Sequence, residues 1–106
     1  NIKSTDLCRM FTNIIDNATE ACIAAKDKSK AFIILSAQIK SNNFVVKCIN
    51  YCDTNIPKDT ENLTSTKPNH HGLGIEILKN IAKSYSGDVT ISCKDNTFTI
   101  VTLLKI

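Results

Sequence analysis

The chain has 106 residues, 42% of them apolar, enough for one hydrophobic core and too few for two independent ones. Its net charge of +3 comes from scattered lysines, with Arg9 the only arginine, so no basic patch for nucleic acid is indicated. No segment approaches the about 18 consecutive apolar residues of a membrane span, and the first residues lack the order of a signal peptide; a soluble, intracellular domain without direct membrane contact is expected.

The first element is predicted as a helix over residues 6–25, with Thr5 or Asp6 as N-cap. Leu7, Phe11, Ile14, Ala18, Cys22 and Ala25 recur at three- and four-residue steps and give it one apolar stripe. At 100° per residue, Asn13, Asn17, Glu20 and Ala24 form a second stripe, roughly 110° from the centre of the first. The asparagines therefore border the core. After a charged segment at residues 26–30, AFIILSAQI and FVVKCIN flank Ser-Asn-Asn and read as an antiparallel hairpin. Residues 51–70 hold both prolines and many Asp, Asn, Thr and Ser, with no sustained period; their position just before a glycine pair suggests a lid or binding loop, disordered without ligand. Helical period returns over residues 73–86, where Ile77, Leu78, Ile81, Ala82 and Tyr85 share a face and Gly87 acts as the stop. DVTISCK and TFTIVTLL, joined at Asp95-Asn96, make a second hairpin. Paired strands and two helices with single apolar stripes predict an α+β two-layer sandwich, helices on one face of a mixed, largely antiparallel sheet.

Five cysteines without Cys-x-x-Cys spacing suggest neither a disulfide framework nor zinc, and read as reduced, mostly buried small residues. His70 and His71 are adjacent in the expected loop and poorly placed to share a metal.

Two features carry chemistry. Asn13 and Asn17 in NIIDNATEA lie one helical turn apart and can offer amide oxygens to a hard cation such as magnesium, which prefers oxygen ligands and substrate phosphates. The competing reading is solvent-facing or locally back-bonded asparagines. Gly72 and Gly74 in HHGLGIEILKNIA lack Cβ, so backbone can approach an anion where the next helix presents unpaired N–H groups. Lys67 and His71 stand nearby as further donors. Together the two features describe a site for a metal-bound polyphosphate.

On these residues the chain resembles a known family. NIIDNATEA is similar to the asparagine box, and HHGLGIEILKNIA followed by SGDVTI to the second glycine box, of the GHKL or Bergerat-fold ATP-binding domains of gyrase-type topoisomerases, heat-shock chaperones, sensor histidine kinases and MutL-type repair proteins. DNATEA, a short STK-containing lid and HGLGIEILKNI most resemble the catalytic domains of Agr-type peptide quorum-sensing receptor kinases. The resemblance spans nearly all of residues 1–106 as a single ATP-binding domain, with the lid and adenine-side loop at 51–71, and implies that an upstream strand and helix of full-length relatives are missing.

The resemblance implies ATP and Mg2+ as ligands, Asn17 as the magnesium ligand, Asn13 as a second phosphate contact, and His71, Gly72, Leu73 and Gly74 as the phosphate-side wall. Lys67 would belong to the lid. The usual adenine-reading Asp-x-Gly-x-Gly is replaced by CINYCDTNIP, leaving Asn50, with Asp53 as runner-up, to read adenine. Glu20 takes no phosphate role. Where hydrolysing relatives carry a glutamate base the chain has Asn13, so poor hydrolysis is expected. The phosphoacceptor histidine would lie on a separate dimerisation domain, with a response regulator downstream, in the cytoplasmic part of a membrane receptor. Alternatives are a docking module without phosphotransfer and a serine kinase of the anti-sigma-factor type.

Overall fold

The computed structural model describes residues 2–53 and 70–106, and the backbone alone for residues 70–73. Helix α1 spans Ser4–Ala24, a 3-10 turn follows at Lys28–Lys30, and strands β1 (Ile33–Lys40) and β2 (Asn43–Tyr51) form the first hairpin. Helix α2 spans His70–Ser84, and β3 (Asp88–Lys94) and β4 (Thr97–Lys105) form the second hairpin. The strand order is β1-β2-β4-β3, and every pairing among the described strands is antiparallel. The expected parallel component is therefore absent from the described sheet.

Both hairpins turn through residues the sequence marked. Ser41 and Asn42 have φ of 51° and 64°, and Asp95 and Asn96 have 53° and 62°. Left-handed backbone at both central positions matches the right-handed twist of the flanking strands, and Asn and Asp tolerate it better than most residues.

The two helices lie side by side on one face of the sheet, α1 over β2 and α2 over β3 and β4. Met10, Ile14 and Ala18 of α1 and Leu78, Ile81 and Ala82 of α2 meet Val46, Cys48, Phe98, Ile100 and Leu104 of the strands in one core. Alternate residues of β2 and β4 point into it, as a half-covered sheet requires. β1 lies beyond the helices at the sheet edge, and all eight of its residues are exposed, Ile34 and Ile39 among them.

Three local expectations need correction. α1 begins at Ser4, with Lys3 in extended conformation at its N-cap and no side-chain cap bond. Asp6, expected as a cap, sits in the first turn and accepts a 2.6 Å hydrogen bond from the Tyr85 hydroxyl, which itself accepts from the Lys3 N–H at 3.1 Å. The bond it donates to Asp6 raises the Tyr85 hydroxyl above its usual pKa. α2 begins at His70 rather than Leu73, so both histidines belong to its first turn and not to a loop. It ends at Ser84, and the left-handed residue there is Ser86 (φ 56°), not Gly87. Gly87 is required for a different reason: a Cβ would stand 1.7 Å from the Leu103 carbonyl oxygen of β4.

The apolar stripe of α1 is also displaced. Met10, outside the predicted stripe, is fully buried, while Leu7, Phe11 and Cys22 are only half-buried. The expectation for residues 51–70, including the lid, its disorder and Lys67, falls outside the described residues from position 54 to 69.

Candidate functional site

Burial of Met10 turns the core-facing side of α1 toward the asparagines. Seven residues fall about 20° short of two helical turns, so Asn17 lies nearly in line with Met10. Asn13 and Asn17 are both half-buried at this border, and Glu20 shares it one turn further on.

The Asn13 amide is oriented by its own helix. Its Nδ2 donates to the Arg9 carbonyl at 2.7 Å, which is local back-bonding of the kind the competing reading anticipated. That bond uses the donor end and turns the acceptor end, Oδ1, away from the Arg9 carbonyl. Toward that oxygen comes α2. A Cβ built on Gly74 would lie 3.1 Å from Asn13 Oδ1 and 3.8 Å from its Cγ. The two motifs, far apart in sequence, thus meet where α1 and α2 pack together.

His71, Gly72 and Leu73 occupy the first turn of α2, and Gly74 follows as its fifth residue. The glycines lie inside the helix start rather than before it. The N-cap and the first three residues of an α-helix have N–H groups without an intrahelical acceptor, so the donors left over within α2 are those of His70, His71 and Gly72.

On the sheet side, Asn50 stands near the end of β2, directly opposite Ile33 and Phe98, on the same face as Val46 and Cys48. It is 1% exposed, and its Nδ2 donates to the Tyr51 carbonyl at 3.0 Å. Asp53 is committed structurally: its Oδ2 accepts from the Lys26 backbone N–H at 2.7 Å, joining the exit of β2 to the segment after α1.

Residues not singled out from sequence hold this end of the sheet. Asn96, read only as a turn residue, donates through Nδ2 to the Cys52 carbonyl at 2.9 Å and to the Asp53 carbonyl, while its own carbonyl accepts from the Cys52 N–H at 3.0 Å. Lys28 donates from Nζ to the Ile23 and Ala25 carbonyls, both at 2.5 Å, and so caps the C-terminal end of α1. A lysine shortly after a predicted helix was the available signal for the second; nothing in the sequence foretold the reach of Asn96.

Among the described residues no cluster of three His, Cys, Asp or Glu side chains could hold a metal. The donor set at the α1–α2 border is of another kind. Neutral amide oxygens close to a helix start are the kind of donor that suits a hard cation carried by an anionic ligand, so the chemistry of the residues present fits magnesium held jointly with phosphate. Among the described residues, no helix is long and apolar enough to cross a membrane.

A family model described as the GHKL domain matches residues 2–105. A search of curated proteins finds no match. Among solved structures, the nucleotide-free catalytic domain of the histidine kinase ThkA superposes with a TM-score of 0.75 at 18% identity, covering 98% of this chain and 68% of that one. The Acinetobacter baumannii histidine kinase AdeS gives 0.69 at 17% identity, covering 95% of this chain and 46% of that one. The histidine kinase domain of the Erythrobacter litoralis EL346 blue-light activated histidine kinase gives 0.70 at 15%, covering 94% and 43%. At these identities the structures establish a shared fold, and this chain spans less than half of the latter two. With the family model matched over nearly its full length, the chain belongs to the GHKL domain family.

Proposed function

We propose that this chain is the ATP-binding part of a sensor histidine kinase, binding Mg-ATP and presenting the γ-phosphoryl group to a histidine on a separate dimerisation domain. GHKL domains generally bind ATP, which sets the ligand class. The observation that carries the reading is the approach of Gly74 to Asn13, which joins amide oxygens and helix-start N–H donors at one border.

In this reading the unpaired N–H groups at the start of α2 bind phosphate oxygens, aided by His71. Absence of a side chain at Gly72 and Gly74 lets the chain come close, and Leu73 shields the phosphates from water. Asn13 orients a phosphate or its associated water. Asn17 would be the metal ligand, and magnesium, when bound, would neutralise phosphate charge and leave the γ-phosphorus more open to attack. Asn50 reads adenine at the exit of β2, with Asp53 as the weaker candidate because its carboxylate already serves the Lys26 amide. Lys67 completes the phosphate side from the segment at 51–71.

Asn13 has no basicity, so water is not activated and hydrolysis is slow. Phosphoryl transfer relies instead on positioning and charge stabilisation, with the nucleophile supplied in trans. The resemblance to Agr-type receptors extends the proposal to peptide quorum sensing, with a cytoplasmic site of action and a response regulator as the final acceptor.

Titration calorimetry with ATP, with and without magnesium, tests the assignment. Micromolar, magnesium-dependent binding that falls at least tenfold in Asn17→Ala supports it. Binding indifferent to both magnesium and that substitution would leave a docking module instead. Acid-stable label on a protein hydroxyl, after mixing with candidate acceptor domains, would point to the serine-kinase alternative.

A further inference from the structure

Cys52 and Cys93 are separated by 41 positions in sequence, yet their Sγ atoms lie 3.5 Å apart. Both are thiols. Cys52 follows β2 and is fixed on both sides of its backbone by Asn96, through its N–H at 3.0 Å and its carbonyl at 2.9 Å. Cys93 belongs to β3, directly opposite Phe98. Two sulfurs held in van der Waals contact need to close by only about 1.5 Å to reach disulfide length. Strand β3 anchors Cys93, and the two backbone bonds to Asn96 anchor Cys52.

We propose that Cys52 and Cys93 form a reversible oxidation site, converted by a hydroperoxide to an intramolecular disulfide. Exposure orders the two steps. Cys93 is half-buried, whereas Cys52 is 8% exposed. Burial, with the Cys93 contact adding to it, pushes the Cys52 thiol up to about 12, which keeps Cys52 protonated and makes Cys93 the first sulfur to react. The Cys93 thiolate attacks the hydroperoxide: an S–O bond forms, the O–O bond breaks, and the leaving alkoxide is protonated to an alcohol. Sulfur is thereby oxidised to a sulfenic acid. The Cys52 sulfur then attacks the Cys93 sulfur, the S–S bond forms, and the S–O bond breaks. Hydroxide departs with the Cys52 proton as water. Two thiols and one hydroperoxide give one disulfide, one alcohol and one water. The bridge would tie the exit of β2 to β3 across the start of β4.

The site stands independently of the ATP assignment. The test is hydrogen peroxide treatment of the reduced chain, alkylation, and mass spectrometry. The expected product is lighter by two hydrogens before alkylation, contains a linked pair of tryptic peptides covering residues 48–58 and 84–94, and reverts with dithiothreitol. Since the first peptide also carries Cys48, fragment ions between Cys48 and Cys52 must assign the link to Cys52. Cys52→Ser is expected to leave a Cys93 sulfenic acid that dimedone traps, and Cys93→Ser to abolish the link. Wild type in which Cys52 and Cys93 both remain alkylated while Cys8 or Cys22 is oxidised would overturn the proposal, whatever the fate of the variants. So would a link that maps to Cys48.

Discussion

Gly74→Ala separates a structural role from a binding role at a single methyl group. In an ordinary helix interior, replacing glycine by alanine stabilises by about 1 kcal/mol, and no glycine described here has a positive φ that alanine would resist. At this position the new Cβ meets Asn13 Oδ1 at 3.1 Å, a few tenths of an ångström too close, with Cγ at 3.8 Å and Cβ at 3.9 Å. Asn13 cannot swing away without stretching its 2.7 Å bond to the Arg9 carbonyl. Forcing it off its rotamer costs about 0.5–1.5 kcal/mol, which offsets the helix gain. Stability by urea denaturation should therefore stay within about 0.5 kcal/mol of wild type. In an Asn13→Ala background the obstruction is gone, and the same substitution should stabilise by about 1 kcal/mol. Mg-ATP affinity should fall about tenfold in Gly74→Ala, or 1.4 kcal/mol, because the methyl displaces Asn13 and narrows the phosphate approach. Full helix stabilisation in both backgrounds, together with unchanged ATP affinity by calorimetry, would refute the reasoning.

Gly87→Ala should cost at least about 3 kcal/mol in chemical denaturation, since its Cβ would meet only β4 backbone, at 1.7 Å from the Leu103 oxygen and 3.0 Å from the Leu104 Cα; a loss under 1 kcal/mol would show that α2 and β4 separate readily. Thr102 is fully buried on β4, and among the described residues its hydroxyl has no hydrogen-bond partner, so Thr102→Val should stabilise by about 1 kcal/mol; destabilisation would reveal an acceptor for that hydroxyl. The Tyr85 hydroxyl titrates above its usual value of 10.0 in the fold because it donates to Asp6, so its contribution is complete below pH 10 and is lost as pH rises through the higher folded value. Wild type should therefore lose stability above pH 10 more steeply than Tyr85→Phe, and parallel curves would remove the Tyr85–Asp6 link as a source of stability.

The elements were legible where one period governed a whole face. β2 and β4 alternate cleanly, and both hairpin turns carry residues that accept left-handed backbone. Legibility failed where the cause lay in another element. Met10 escaped the α1 stripe because the helix is rolled by its packing against α2 as well as against β2. Gly87 looked like a helix stop, which usually demands positive φ; the demand comes instead from β4 passing against it. Asp6 looked like a cap and proved to be the partner of a tyrosine at the far end of the chain.

The candidate site divides along the same line. Each half is local and could be read separately, because amide spacing on a helix and glycines at a helix start are properties of a few consecutive residues. Their meeting is not local. It depends on α1 and α2 lying side by side on the sheet, and on the border of one core-facing stripe coming against the border of the other. Gly74 directly precedes Ile75, which is 4% exposed, and Asn13 directly precedes Ile14, which is 1% exposed. Burying these two isoleucines against the sheet brings their neighbours to the same seam. The hydrophobic effect thus sets the distance between the polar groups, and absence of a side chain at Gly74 lets Asn13 Oδ1 come close to α2, the approach on which the proposed phosphate site rests.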